Sequence, residues 1–157
     1  MVASGAELKV GRTFALTLGH CDDFFVELTS FCRQRDIRCG YIPLFLGAFR
    51  TAKVVGTCEP ADGEVPILDL SVDLQFVEVV GAGTVAFDDA TGDISPHVHL
   101  SLGQRLDGAR GATSHLFEAQ VQFLVELVLV EVLEPRMTRV ASNDLFGLKL
   151  LDFGQQN

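Results

Sequence analysis

His97, His99 and His115 are the side chains in this chain best suited to hold a metal ion. In Ser95-Pro96-His97-Val98-His99-Leu100-Ser101-Leu102-Gly103, Val98, Leu100 and Leu102 alternate with His97, His99 and Ser101, which is the period of a β-strand. Residues two apart on a strand share a face, so both imidazoles project together, about 7 Å apart along the strand. The stretch from Gln104 to Gly111 is rich in turn residues and can bring His115 back beside them. Three imidazoles and a water are the open coordination of catalytic zinc. The same spacing also suits neutral histidines on a half-exposed strand that only hydrogen-bond their neighbours, because no local pattern fixes the rest of a zinc shell. His20, in Gly19-His20-Cys21-Asp22, reads as a solvent-exposed turn residue or as a fourth group approaching the others.

Other chemistry is poorly supported. Val79-Val80-Gly81-Ala82-Gly83-Thr84-Val85-Ala86 matches the glycine spacing of dinucleotide-binding loops, but that chemistry needs a helix N-terminus directly afterwards to receive the phosphates. Here the chain runs through Phe87 into Asp88-Asp89 and a turn. The glycines therefore read as a strand kink or a close backbone contact. Ser114 adjoins His115, and Ser101 lies in no nucleophile elbow. Cys21, Cys32, Cys39 and Cys58 have no CxxC spacing, so reduced thiols are expected, with Cys32 as core filler.

These groups must be positioned by strands and one helix. Thr13–Gly19 alternates as a strand, Asp22 or Asp23 can cap a helix, and Phe24, Leu28 and Phe31, with Phe25 and Cys32 alongside, give that helix its apolar stripe to near Arg35. Ile37–Ala48 reads as an irregular strand, at a sheet edge or bulged at Pro43. Ala52–Val55 reads as a further short strand and Thr57–Glu64 as a loop. Ile67–Leu74 and Phe76–Phe87 read as strands, and Asp88–Asp93 as the hairpin turn before the histidine strand. Phe123–Leu133, apolar on both faces, reads as a central covered strand, and Asp144–Phe153 as the last one. Several strands, one clear helix and hairpin links give an α+β class with a mainly antiparallel β-sheet. The 157 residues, 48% hydrophobic, fit one domain over 1–157 with a substantial core.

The formal charge is −9, from 21 acids against 12 bases, with only three lysines. Non-specific nucleic-acid affinity comes mainly from Lys and Arg neutralising phosphates, so direct DNA binding is disfavoured, with Arg105, Arg110, Arg136 and Arg139 as the one possible local patch. No apolar run is long enough to span a bilayer, and Met1–Lys9 lacks the features of a secretory signal. No membrane association and a cytoplasmic location are expected.

With these residues in place, the sequence resembles the plant and prokaryote conserved domain family, called PPC or PCC, over about Gly11 to Leu133. The resemblance runs through the Arg12 strand, the helix, Gly47-Ala48-Phe49, and Glu78 followed by Gly83-Thr84-Val85. Its most specific part is His97-Val98-His99-Leu100-Ser101-Leu102-Gly103 with His115-Leu116, similar to the family's HxHxxLxD and GGHL motifs; Thr113-Ser114 stands where the family has Gly-Gly. The valine-rich strand with Glu126 and Glu131 resembles the family's closing run. In plants the domain occurs in AT-hook nuclear proteins, and small prokaryotic members carry a DNA-binding label. The AT-hook core, Arg-Gly-Arg-Pro, is absent here.

The resemblance implies a PPC-like antiparallel sheet with flanking helices, a homotrimer, and a metal, zinc or another divalent transition metal, held by His97, His99 and His115. It implies a regulatory or binding role, with a small-molecule or protein ligand as partner. DNA binding is the alternative the family label suggests. A metal-dependent hydrolase using a zinc-bound water is the enzymatic alternative. The late strand adds to the trimer expectation: Phe123, Val125, Leu127 and Leu129 occupy one face and Leu124, Val128, Val130 and Val132 the other, more apolar surface than one helix can cover.

Overall fold

The computed structural model describes residues 5–56, 71–145 and 147–154. Strand β1 is Lys9–Gly19, helix α1 Phe24–Gln34, β2 Gly40–Val55, β3 Ser71–Asp88, β4 Asp93–Gln104, β5 Arg110–Glu134, β6 Thr138–Ser142 and β7 Leu148–Asp152. The loop expected over Thr57–Glu64, Cys58, and residues 67–70 of the strand expected from Ile67 lie outside the described residues.

The strands close on themselves. β2 pairs antiparallel with both β3 and β5, and β4 pairs antiparallel with the same two strands. The cycle β2–β3–β4–β5 is a barrel, with β1 added to β5 and the hairpin β6–β7 joined to β3 by one parallel pair, Phe87 with Thr138. This corrects the α+β expectation with flanking helices: the architecture is β-rich, and α1 is the one α-helix among the described residues. The physical reason lies in strand length. Ile37–Ala48 and Ala52–Val55 are parts of one strand, and β3 and β5 run 18 and 25 residues. Strands this long twist and bulge, and a twisted sheet that curls far enough buries its own inner face. A closed barrel buries most of its inner face with its own side chains, and the one helix α1 completes that core.

Pro43 illustrates the point. β2 is central, with partners on both sides, and the missing N–H is absorbed by bulges between Ile42 and Phe45 against β3 and between Tyr41 and Leu44 against β5. Of the two readings of this proline, the bulge is the one found.

The interior joins barrel and helix. Asp23 caps α1 by accepting from Phe25 N and Val26 N at 3.0 and 2.9 Å, satisfying first-turn donors. Phe24, Leu28 and Cys32 are fully buried, and the Phe24 ring lies 5.1 Å from Phe45 and 5.5 Å from Phe49. A second, smaller core of Cys39, Ala86, Val132 and Met137 is packed by Leu151 and Phe153. The chain's own C-terminal segment therefore covers part of the late strand's second face. Phe123 leaves the row of Val125, Leu127 and Leu129: its φ is 68° and its side chain is exposed, because β5 bulges there opposite Gly47–Ala48.

Arg12 anchors β1 to β5. Its Nε and Nη2 donate to the two Glu131 carboxylate oxygens at 2.8 and 2.7 Å, and its backbone N donates to Oε2 at 3.1 Å. These hydrogen bonds, led by those of the guanidinium, hold the buried Glu131 carboxyl below the usual carboxylate range. A carboxyl depressed on folding contributes stability above its unfolded pKa of about 4.3 and loses it as pH falls through the lower folded value. The melting temperature of the wild type should fall more steeply than that of Glu131→Gln between about pH 5 and pH 3. Parallel slopes in thermal melts across that range would mean the pair contributes nothing pH-dependent.

Candidate metal centre

The histidines sit where three strands meet. His97 and His99 lie on β4 opposite Thr84 and Ala82 of β3, and His115 on β5 is the direct cross-strand partner of His99. The return expected after Gln104 is a single 3₁₀ turn, Arg105–Asp107, closed by Gly108 at φ 56°. β3 must lie flat against β4 here, and its glycines permit that. A Cβ on Gly83 would stand 2.6 Å from the His97 carbonyl oxygen, and one on Gly81 would stand 2.6 Å from that of His99. The glycines of the apparent nucleotide motif are thus close backbone contacts in mid-strand, and β3 continues past them to Asp88 without a helix.

His97 Nε2 and His99 Nε2 are 3.0 Å apart, and His99 Nε2 and His115 Nδ1 3.4 Å apart. One ligand atom from each of the three falls within 4.8 Å of the others. Nitrogens at zinc-ligand distance on a tetrahedron stand about 3.3 Å apart, so the donor set fits such an ion with small adjustments. Burial, then the charges of His115, Arg139 and His99, push the His97 pKa down to about 4. Burial, then His99 and Arg139, lowers that of His115. Both rings are therefore neutral at physiological pH, the state in which imidazole offers a lone pair to a metal.

The surroundings fix the aim of the rings. Phe117 packs edge-on against His115 with ring centroids 5.0 Å apart. Ser114 Oγ donates to the Val55 carbonyl at 2.6 Å, and Ser101 Oγ and Thr113 Oγ1 are 2.9 Å apart. Thr113-Ser114, in place of the family's Gly-Gly, thus ties this end of β5 to β2 and β4 and leaves His115 in the cluster. Ser101 and Ser114 are engaged in these structural bonds. His20 is elsewhere: its Nδ1 accepts from Phe123 N at 3.1 Å and its ring stacks on Phe123. Cys21, Cys32 and Cys39 are free thiols, and burial pushes the Cys32 thiol up to about 11, far from a nucleophile's range.

Two cavities flank the histidines. One, of about 500 Å³, is lined by His97, His99, His115 and Phe117. The other, of about 460 Å³, runs from His97 and His99 to Thr84, Arg139 and Lys149. Strand β6 and the burial of Arg139 on it are what the sequence reading missed, whereas β7 falls within the last strand expected over Asp144–Phe153. Arg139 stood there in a solvated patch, yet it is buried. Its placement depends on the parallel pair between Phe87 and Thr138, for which no local pattern gives a signal.

The closed barrel and its outward cluster of three imidazoles define a small β-barrel domain with a metal-capable face. The chain belongs to the Plants and Prokaryotes Conserved (PCC) domain family, whose sequence model matches residues 5–133. No curated protein matches it. Among solved structures it is similar to a metal-containing protein from Archaeoglobus fulgidus, at 25% identity and TM-score 0.78, over 94% of this chain and 98% of that one. A plant- and prokaryote-conserved (PPC) protein from Pyrococcus horikoshii shares the fold at 21% identity and TM-score 0.77, over 94% and 97% of the two chains. A protein from Bacteroides thetaiotaomicron, described as a candidate DNA-binding protein, shares it at 20% identity and TM-score 0.73, over 94% and 96%.

Proposed function

We propose that the chain is a metal-binding PCC-domain protein whose ion, zinc or another divalent transition metal, is held by His97, His99 and His115, and that it serves a regulatory or ligand-binding role as a homotrimer. The observation that carries this reading is the convergence of three ligand atoms within 4.8 Å. The metal-containing description of the similar Archaeoglobus fulgidus protein supports it. Three protein ligands leave a coordination position open, which suits a bound ligand as well as a reactive water. Elemental analysis of protein purified without added metal tests the reading: about one ion per chain is expected, and sub-stoichiometric zinc, nickel, manganese and iron together would refute it.

The trimer is supported by an outward apolar row. Leu44, Leu46, Val80 and Leu124 are each between 42% and 48% exposed, with Leu46 and Val80 directly paired. Contiguous apolar surface of this kind marks an interface, and cyclic symmetry buries it in every copy. Light scattering should report three times the 17.0 kDa chain mass.

DNA binding is the weaker reading. Of the four arginines that could form a basic patch, Arg105 is paired with Glu78, Arg110 with Asp107 and Arg136 with Asp89. With a charge of −9, counterion release on a duplex is small. Mobility shifts at physiological salt should show a Kd no tighter than roughly 10⁻⁴ M; a tight complex would reverse this ranking.

A further inference from the structure

Among the described residues, Arg139 carries a buried positive charge with no acid to meet it. The residue is 7% exposed, and its Nη2 donates to Thr84 Oγ1 at 2.6 Å. Among the described residues no carboxylate pairs with it, and Thr84 is its sole side-chain acceptor. A guanidinium cannot shed its proton in a protein and has five donors in a planar fork. Burying such a group unpaired is costly. The other cation on the same cavity, Lys149, is already held by the buried carboxylate of Asp88. Among the described residues lining this cavity, the uncompensated charge is therefore that of Arg139.

Its position is as telling as its charge. Thr84 is the cross-strand partner of His97, so guanidinium, hydroxyl and imidazole follow one another along one wall. The cavity they line measures about 460 Å³, within the range that holds small ligands.

We propose that Arg139 is an oxyanion receptor, and that the cavity it shares with His97 and His99 takes a small molecule bearing a carboxylate or phosphate group. The anionic group sits on the guanidinium fork, with geometry that matches either oxyanion, and Thr84 holds the fork in place as a positioning residue. Were His97, His99 and His115 to hold a metal, as proposed above, its open coordination position would offer a second point of attachment to an oxygen of such a ligand. That last element rests on the metal reading; the Arg139 site does not.

The test is calorimetric titration of the full chain with pyruvate and with inorganic phosphate, each with and without one equivalent of zinc. The variants are Arg139→Gln, Arg139→Lys and Thr84→Val. The wild type should bind at least one probe without metal, and the tighter of the two identifies the anion class. Arg139→Gln should weaken that binding by roughly 10- to 100-fold, the worth of a hydrogen-bonded charge, while retaining wild-type zinc content. Arg139→Lys should fall between the two, because it keeps charge and loses the fork. Thr84→Val should weaken binding severalfold and lower the melting temperature by a few degrees, because it leaves a buried donor unpaired, and it keeps the proposal testable should Arg139→Gln fail to fold. Binding of neither probe by the wild type, or binding by Arg139→Gln or Thr84→Val equal to the wild type's, would overturn the proposal. Failure of the wild type to retain zinc overturns the metal reading alone, because the metal-free titrations still decide on Arg139.

Discussion

Zinc should raise the melting temperature of the wild type by about 8–16 °C and leave that of His99→Ala unchanged. An ion present at about a thousandfold over its Kd stabilises the state that binds it by about 4 kcal/mol. For a chain of this size each kcal/mol moves the midpoint by about 2–4 °C. His99 is the variant of choice because it is the middle ligand, 3.0 Å from His97 and 3.4 Å from His115 by their nearest nitrogens. It is also exposed, so its truncation leaves no cavity in the core. The metal-free melting temperatures of variant and wild type should therefore agree within about 2 °C, since surface substitutions change stability by about 0.5 kcal/mol or less. Removing a ligand costs more than removing the groups that orient it, which typically costs about 10- to 100-fold in affinity; retained zinc in the variant would show that the ion, if bound, is bound elsewhere.

The largest loss of fold stability is expected for Gly47→Ala. Gly47 has φ 154°, a conformation that side chains disfavour, and a Cβ there would stand 2.3 Å from the Leu124 carbonyl oxygen and 2.8 Å from Val125 Cα. Both obstacles are backbone of β5, so no rotamer change relieves them. Strain at such a position costs about 1–3 kcal/mol, and overpacking about 1–3 more. A combined loss of roughly 4 kcal/mol lowers the urea midpoint by about 2 M. Gly92→Ala is the control: its φ is 72° but nothing lies within 4 Å of the new Cβ, so only the left-handed backbone cost of about 1–2 kcal/mol applies. Equal losses in the two variants would mean that the Gly47–Leu124 contact yields.

What the sequence made legible was local. A period of two put His97 and His99 on one face, and a turn-rich return brought back His115, because strand alternation and hairpin geometry are short-range rules. A cap at Asp22 or Asp23 and the stripe of Phe24, Leu28, Phe31 and Cys32 marked the helix for the same reason. Barrel closure was not legible: alternation in β4 says which face is apolar and cannot say that both of its edges are paired. Pro43 left two options that only the flanking strands could decide. Phe123 broke its row through a backbone angle opposite Gly47, a relation between distant segments. Arg139 owes its burial to the pairing of β6 with β3, and its side chain alone reads as surface.

Every residue of β1 that is paired in the sheet is paired with β5, from Lys9 with Glu134 to Gly19 with Leu124. Chains are made from the N-terminus at about 5–20 residues per second, so β1 waits roughly 6 to 23 s between its own synthesis and that of its partner. During that time its hydrogen-bonding edge and its apolar side chains have no native place to go, whereas β2, β3 and β4 can already form a meander. β5 is thus the strand that ends a vulnerable interval, and a nascent chain halted before it would carry an open sheet edge of the kind that recruits other chains.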